Sequence, residues 1–264
     1  TDVAIKVLKS TVPASEQEKF RAEGLRMLPL NHPHIVRLLG FSRVDGKDML
    51  VTELVQLGGL RPFIRKRKKA GDPLKLVTLK LFIDQVAEGM TYLEEMNVLH
   101  RDLAARNILL DSLQSVKISD FGMSRDSEGE DGYTSSRVGR WPVKWYAPES
   151  EYSLFTSKSD VWSFGVCAWE ILTHGTKPYK SLNSWEEVKA FVFPPPEGRG
   201  ERLASPDGCP EELYKVLLKC WTYDPADRPS FQMVGAMLAG CNAASLPPSV
   251  SRANKPHGGG GGRK

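Results

Sequence analysis

The sequence lacks any apolar run long enough to cross a membrane as a helix. The best candidate, residues 161–173, is shorter than the roughly 20 apolar residues that a span needs, and it contains Glu170. Cysteine is also scarce, with four in 264 residues and no CxxC pair. These absences argue against membrane insertion within this chain and against a disulfide framework, and we expect a reduced, cytoplasmic setting.

The sequence also lacks an excess of charge of one sign, except at the C-terminal end. Residues 242–264 contain four basic and no acidic residues, whereas residues 1–241 contain 32 of each. A neutral body argues against a dedicated nucleic-acid-binding protein, so no nucleic-acid partner is expected. Five consecutive glycines and a Pro-Pro pair make residues 242–264 low in complexity, and we expect them to form a disordered tail.

Strand signals dominate the first part of a chain whose composition is otherwise ordinary for a globular protein. Residues 3–8, 35–41 and 49–54 are β-rich runs. An Asp45-Gly46 turn joins the last two runs. Between the first two runs, a helix is expected to begin near Ser15, where the sequence fits a capping box. That helix should end about one residue before a proline at position 29.

Helical periodicity dominates the second part. Apolar residues recur at helical spacing over residues 79–93, and residues 161–172 are apolar on almost every side, which indicates a buried central helix. Later helices are expected at residues 213–221 and 231–238.

We therefore predict an α+β, bilobal fold. It has a small, incomplete, β-rich lobe over residues 1–54 and a larger, mainly α-helical lobe over residues 55–241, followed by the tail at 242–264.

Four short motifs carry the chemistry, and their order is as informative as their content. They are Val3-Ala4-Ile5-Lys6 on the first strand, residues 100–107 (HRDLAARN) after the long helix, Asp120-Phe121-Gly122 after a short strand pair, and Ala147-Pro148-Glu149. This series resembles the signature motifs of the protein kinases, which occur in the same order. The resemblance extends from residue 3 to about residue 238 and implies the protein kinase fold, with ATP and Mg²⁺ as cofactors.

The resemblance also implies roles for individual residues. Lys6 would hold the α- and β-phosphates of ATP and would pair with Glu23, on the inward face of the first helix. Asn107 and Asp120 would bind Mg²⁺ through oxygen atoms, and Asp102 would accept or orient the proton of the acceptor hydroxyl. The alternative, that these are ordinary loop-turn residues, explains one Asp or Asn but not three at these positions.

An adenine pocket between the lobes is implied in the same way. Ala4 and Leu109 would enclose the base, and Thr52 would form the back wall. Backbone groups of Glu53 and Val55 would hydrogen-bond the base. Without the resemblance, Ala4 and Leu109 would be interpreted as ordinary core residues.

Two positions favour tyrosine as the phosphate acceptor. Ala104 stands where serine/threonine kinases usually carry Lys, and Arg106 stands at a place typical of tyrosine kinases. Residues 141–145 also resemble a tyrosine-kinase substrate-binding segment. Longer stretches resemble the Syk family of cytoplasmic tyrosine kinases: residues 117–122, 141–149, 157–165 and 220–224. Protein substrates with tyrosine acceptors are therefore the expected partners, and dual specificity or a serine/threonine kinase is the alternative within the class.

The resemblance implies one pair of residues for regulation and another pair for folding. Tyr133 matches the family's autophosphorylation position, and Arg101 is the type of residue that binds an activation-loop phosphate. Phosphorylation of Tyr133 is therefore expected to activate the enzyme. Glu149 and Arg228 resemble a buried structural ion pair of the family.

Some features depart from the family pattern. No glycine-rich loop precedes Val3, so we expect a fragment of a longer protein or an incomplete gene model, with weak ATP binding and adaptor domains upstream as one possibility. A catalytically silent pseudokinase or truncated fragment acting as a binding scaffold is the alternative function. Gly132 replaces a second tyrosine, and residues 193–199 resemble an insertion.

The basic run at residues 65–69 has two interpretations: the solvated face of a helix, or a nuclear-localisation or acidic-lipid patch.

Overall fold

A computed structural model describes residues 2–8, 12–121, 125–126, 143–182, 184–193 and 200–241. Several features named above lie outside the described residues: Gly122, Gly132, Tyr133, Trp141, Pro142, residues 194–199 and residues 242–264. None of the helices in the described part of the chain is both long enough and apolar enough to span a membrane.

The first part of the chain forms a three-stranded antiparallel sheet in the order β1-β3-β2. Its strands are β1 (Val3–Val7), β2 (Leu38–Val44) and β3 (Lys47–Glu53). Asp45 and Gly46 connect β2 to β3 with φ angles of 51° and 73°, which the predicted two-residue turn requires. Strand β2 begins later than predicted, because Ile35 instead forms a bridge with Ile118 of the second part.

Helix α1 (Ala14–Met27) packs its buried face against this sheet. The predicted capping box is wrong, since Pro13 is the N-cap and no side chain caps the helix. Ser15 already lies in the first turn, where its hydroxyl is past the capping position, and the Pro13 carbonyl accepts from Glu16 N at 3.0 Å. The helix ends before Pro29, as predicted.

Six further α-helices lie in the described residues of the second part, and all four helical segments expected there are confirmed. They are α2 (Leu60–Lys69), α3 (Leu76–Glu95), α4 (Ser157–Leu172), α5 (Trp185–Val192), α6 (Glu211–Cys220) and α7 (Phe231–Gly240). Helix α4 is buried on nearly all sides and packs against α3 and α6. It therefore forms the centre to which the surrounding loops are anchored.

Four short strands shape the loops beside α3. They are β4 (Val98–Leu99), β5 (Ile108–Ser112), β6 (Ser115–Ile118) and β7 (Arg125–Asp126), with β4 paired to β7 and β5 paired to β6. Backbone hydrogen bonds from Val36 N to Ile118 O and from Ile118 N to His34 O tie the segment before β2 to β6. The two parts of the fold are thus joined at the level of the short strands.

The predicted ion pair between Glu149 and Arg228 is present and buried. Arg228 Nη1 lies 2.8 Å from Glu149 Oε1, and the Arg228 side chain has no exposed surface. Three further N–H groups of the guanidinium, on Nε, Nη1 and Nη2, donate to the backbone carbonyls of Thr222, Lys158 and Tyr223, respectively. A fully partnered buried guanidinium of this kind fixes the segment after α6 against the start of α4.

Candidate active site

Lys6 connects three elements of the fold. Its Nζ on β1 donates to both carboxylate oxygens of Glu23 on α1, at 2.6 and 2.9 Å, and to Asp120 Oδ1 after β6, at 3.2 Å. The predicted Lys6–Glu23 pair is therefore present, and Asp120 joins it. Asp120 has a φ of 63°, a left-handed backbone conformation that is uncommon for a residue with a side chain and is often found at functional sites.

The two members of the ion pair differ in burial, and their pKa values reflect this. Burial lowers the pKa of Lys6, but the negative charges of Asp120 and Glu23 outweigh that effect and raise it above its ordinary value. Burial raises the pKa of Glu23, and the charge of Lys6 only partly opposes the shift. Glu23 is 4% exposed, so the amine of Lys6 is the main compensation for a carboxylate held away from water.

Asp102 is held in a fixed orientation by two neighbours on the same loop. Arg106 donates from Nη2 to Asp102 Oδ1, and Asn107 donates from Nδ2 to Asp102 Oδ2 at 2.9 Å. The same Nδ2 also donates to the backbone carbonyl of Asp102 at 2.7 Å. The guanidinium of Arg106 lies 4.6 Å from the ring centre of Trp145, which restricts it further.

Asn107 is linked to the segment that carries Asp120. The backbone N–H and the hydroxyl of Ser119 both donate to the carbonyl of Asn107, at 2.9 and 2.8 Å. His100 accepts from Asp102 N through Nδ1 at 3.2 Å and reaches the Ser119 carbonyl through Nε2 at 3.1 Å. The loop of Asp102 and the residue before Asp120 are therefore cross-linked by backbone and ring contacts.

The residues expected around adenine lie where the sheet meets the helical part. Ala4 is the direct partner of Thr52 across β1 and β3, and Val3 is the partner of Glu53. Val55 follows β3, and Leu109 bridges to Gly59 just beyond it. Glu53 also accepts from Lys117 Nζ at 2.8 Å, which ties the end of β3 to β6.

Comparison with known proteins places this arrangement in a family. The sequence profile described as "Protein tyrosine and serine/threonine kinase" matches residues 1–238. The chain belongs to this kinase family. The similarity to Syk-family relatives described next confirms the resemblance that the motifs indicated.

Two curated relatives are similar over most of this kinase domain. Human "Tyrosine-protein kinase ZAP-70" is 42% identical over 242 residues, which cover 91% of this chain and 38% of that protein. "Tyrosine-protein kinase SYK" of Gallus gallus is 43% identical over 240 residues, which cover 89% of this chain and 37% of that protein. The chain spans little more than a third of the length of these relatives.

The donor set of the kinase domain fits Mg²⁺. Asn107 uses its Nδ2 toward Asp102, so Oδ1 is the amide atom left for a cation, and the Asp120 carboxylate is half-exposed. Mg²⁺ prefers hard oxygen ligands and takes few from the protein, with waters and phosphate oxygens completing its octahedron. The described residues contain no group of three or more His, Cys, Asp or Glu side chains suited to a metal, so a site here would depend on such outside ligands.

Asp160 on α4 holds the backbone of the loop of Asp102 in place. Asp160 accepts from the backbone N–H groups of His100 and Arg101, at 2.7 and 2.8 Å. Thr156 is the N-cap of α4, and Ser159 completes its capping box. The Asp160 carboxylate is therefore not needed as a cap and fixes the backbone at His100 and Arg101.

Glu170 is a supporting residue that sequence reasoning missed. Its Oε2 accepts from Ala105 N at 3.0 Å and from Trp145 Nε1 at 2.8 Å, while Oε1 lies 3.4 Å from Arg61 Nε. The side chain is fully buried, and burial raises its pKa despite these donors. A signal was available, because a single acidic residue inside an otherwise apolar central helix requires buried partners.

Arg101, the expected phosphate-binding residue, is placed against an aromatic ring. Its guanidinium carbon lies 3.9 Å from the ring centre of Phe155, and the ring of Tyr146 meets Phe155 edge-on. Its expected phosphorylated partner, Tyr133, is outside the described residues. Pairing between the two residues therefore stays a prediction.

Proposed function

We propose that this kinase domain transfers the γ-phosphate of ATP to tyrosine hydroxyls of protein substrates in signalling. The observation that carries the proposal is the contact of Lys6 on the sheet with Asp120 on the helical part, at 3.2 Å. This contact brings the cation that would hold the phosphates next to the carboxylate that would hold Mg²⁺. Phosphoryl transfer asks a protein mainly for such positioning and for cations near the phosphate oxygens.

The side chains divide the work of the proposed reaction. Lys6 binds phosphate oxygens and is itself oriented by Glu23, while Asn107 and Asp120 would hold Mg²⁺, which neutralises phosphate charge when bound. The Asp102 carboxylate orients the acceptor hydroxyl and takes its proton. Arg106 and Asn107 keep Asp102 in position, because each donates to one of its two carboxylate oxygens.

The loop of Asp102 favours a tyrosine acceptor over serine or threonine. Ala104 is fully buried and has no charged group, so this position supplies no cation to a phosphate. Arg106 lies over Trp145, in the segment that resembles a tyrosine-kinase substrate platform. The two relatives described above are named tyrosine-protein kinases, which agrees with this assignment.

The proposal also covers regulation, domain organisation and cellular location. Phosphorylation of Tyr133 activates the enzyme by giving Arg101 an anionic partner, which orders the segment between the Asp120 and Ala147 motifs. Residues 1–54 act as the small lobe and residues 55–241 as the large lobe, and residues 242–264 follow them. The four cysteines are free thiols, which supports a cytoplasmic location.

Phosphoamino-acid analysis tests the choice of acceptor. The protein, at full length, is incubated with Mg²⁺, ATP and peptides that contain tyrosine or serine as the acceptor, beside an Asp102→Asn variant. We expect phosphotyrosine alone, at a rate at least about 100-fold lower in the variant, since the base is lost. Phosphoserine as the main product would favour the serine/threonine alternative. The absence of any phosphorylated product from a folded protein would favour the alternative function, a binding scaffold without catalysis.

A further inference from the structure

Helix α2 carries a concentrated positive charge that the proposed reaction does not use. Residues 61–75 contain seven basic residues and one acidic residue, whereas the rest of residues 1–241 contains 25 basic and 31 acidic residues. The net charges are +6 for this short segment and −6 for the remainder, so the body is neutral only as a sum. Such a separation of charge gives the domain a cationic side and an anionic remainder.

The fold turns these cations toward solvent. Leu60 and Ile64 are both fully buried, and their spacing of four residues fixes one side of α2 against the core. Four basic residues of α2 and one just after it are exposed: Arg65, Lys66, Lys68, Lys69 and Lys75. We call these five residues the α2 cationic face.

The remaining cations of the segment are already neutralised. Arg61 lies 3.4 Å from Glu170, and Arg67 contacts Asp72. No acidic side chain forms an ion pair with any residue of the α2 cationic face in the part of the chain that the structure describes. Cations in the last turn of a helix complement its dipole, but one or two are enough for that purpose.

Neighbouring loops hold the α2 cationic face in place and respond to its field. The side chain of Arg65 packs on Gly175, where a Cβ would lie 2.7 Å from Arg65 Cγ. Lys68 Nζ donates to the Thr173 carbonyl at 3.4 Å. Burial lowers the pKa of His174, and the charge of Lys68 lowers it further, which is the effect of a local positive potential.

We propose that the α2 cationic face docks this protein onto a bilayer of anionic phospholipids. A cluster of four to eight Lys and Arg residues on a helix suits such a surface, and each contributes about fivefold to binding. A bilayer presents charge in one plane, so the domain orients with α2 toward the lipid and its anionic remainder away. Phe63, the aromatic residue of α2, packs against the core, whereas single-stranded nucleic acid favours grooves with stacking rings.

Docking through α2 also places the active site near the membrane. Helix α2 packs against the turn Ala105–Asn107, which belongs to the loop of Asp102. Tyrosines close to the cytoplasmic leaflet would then be within reach of the same domain that holds the lipid. The lipid contact itself does not require catalysis, so it can be tested apart from the proposed function.

Vesicle sedimentation with a matched charge control tests the proposal. The full-length protein is mixed with phosphatidylcholine vesicles that contain or lack phosphatidylserine. One variant replaces three residues of the face (Arg65→Gln, Lys66→Gln, Lys69→Gln), and the control replaces three exposed lysines elsewhere (Lys47→Gln, Lys215→Gln, Lys219→Gln). Both variants lose the same net charge, and neither touches a residue of the active site. A thermal melt verifies that both fold.

The expected result is binding to the phosphatidylserine vesicles alone, on the order of 100-fold weaker in the face variant and within a few-fold of wild type in the control. Raising the salt from about 0.1 M to about 0.5 M should abolish it, because the contact is between exposed charges. Equal losses in both variants, or no binding by the wild type, would overturn the proposal. Tighter binding of a single-stranded RNA through the same three residues would also overturn it and reassign the face to nucleic acid.

Discussion

The contact of Lys6 with Asp120 and the buried polar contacts around α4 use the same chemistry in opposite surroundings. The side chains of Lys6 and Asp120 are 48% and 50% exposed, whereas Asp160, Glu170 and Arg228 are at most 2% exposed. Water screens the first contact, so its charges can exchange partners at little cost in stability. The buried contacts cannot lose a partner without leaving a polar group unsatisfied. The buried contacts around α4 therefore stabilise the fold, whereas the Lys6–Asp120 contact can open without unfolding the protein.

The largest effect on stability is expected from Arg228→Met. The change removes a buried guanidinium that pairs with Glu149 at 2.8 Å and donates to three carbonyls, and it leaves the partly buried Glu149 carboxylate with less compensation. We expect the free energy of unfolding to fall by about 3–5 kcal/mol, measured by urea denaturation. A loss below about 1 kcal/mol would show that the buried contacts behave like surface pairs, and the comparison would fail.

A second test examines the packing of α4 directly. In Gly165→Ala, the new Cβ would lie 2.6 Å from Trp221 Nε1 and 3.0 Å from Cys220 Cβ, both fully buried. We expect a loss of about 1–3 kcal/mol from overpacking. Gly235→Ala in α7 is the matched control, since its Cβ would meet nothing within 4 Å, and it should gain about 0.5–1 kcal/mol from helix propensity. Equal thermal shifts in the two variants would contradict close packing at α4.

The buried acid Glu170 predicts a dependence on pH. Because burial raises its folded-state pKa above the ordinary 4.5, the native state binds more protons than the unfolded state just above that value. The contribution of Glu170 to the free energy of unfolding is therefore fully present below its pKa in the unfolded state. That contribution is lost as the pH rises through its pKa in the folded state. Glu170→Gln removes this titration and keeps an acceptor for Ala105 N and Trp145 Nε1.

The wild type should thus lose stability relative to Glu170→Gln as the pH rises above about 4, in urea denaturation at a series of pH values. A difference between the two proteins that stays constant with pH would mean that Glu170 does not titrate differently on folding.

The largest effect on activity is expected from Lys6→Met, with a smaller effect on stability than that of Arg228→Met. Loss of its half-exposed ion pair with Asp120 costs little, but buried Glu23 loses its main partner, so we expect the free energy of unfolding to fall by about 1–3 kcal/mol. Phosphate transfer should fall by about 100-fold or more, because a cation aimed at the phosphates is lost. Lys19→Met, which removes an exposed pair with Glu16 on the same part of the fold, serves as the control and should leave both quantities unchanged. Unfolding of Lys6→Met at room temperature would place Lys6 among the folding contacts.

Sequence reasoning found the motifs but not everything that supports them. The Lys6–Glu23 pair could be predicted because Lys6 belongs to a motif and Glu23 to an inward helix face, and the Glu149–Arg228 pair because the family resemblance implied it. The cap of α1 could not, since the group that caps its first turn is the backbone carbonyl of Pro13 and not a side chain. Glu170 lies 65 positions from Ala105, and only the packing of α4 under the loop brings the two together.

We propose that Asp102 and its neighbours transfer phosphate to tyrosine and that Tyr133 is among the acceptors. A phosphosite map by mass spectrometry of the full-length protein after incubation with Mg²⁺ and ATP, with Asp102→Asn beside it, tests both parts of this proposal. We expect phosphate on Tyr133 in the wild type and none in the variant. A folded wild type that labels neither itself nor a tyrosine-rich substrate would overturn the kinase function and leave a binding scaffold.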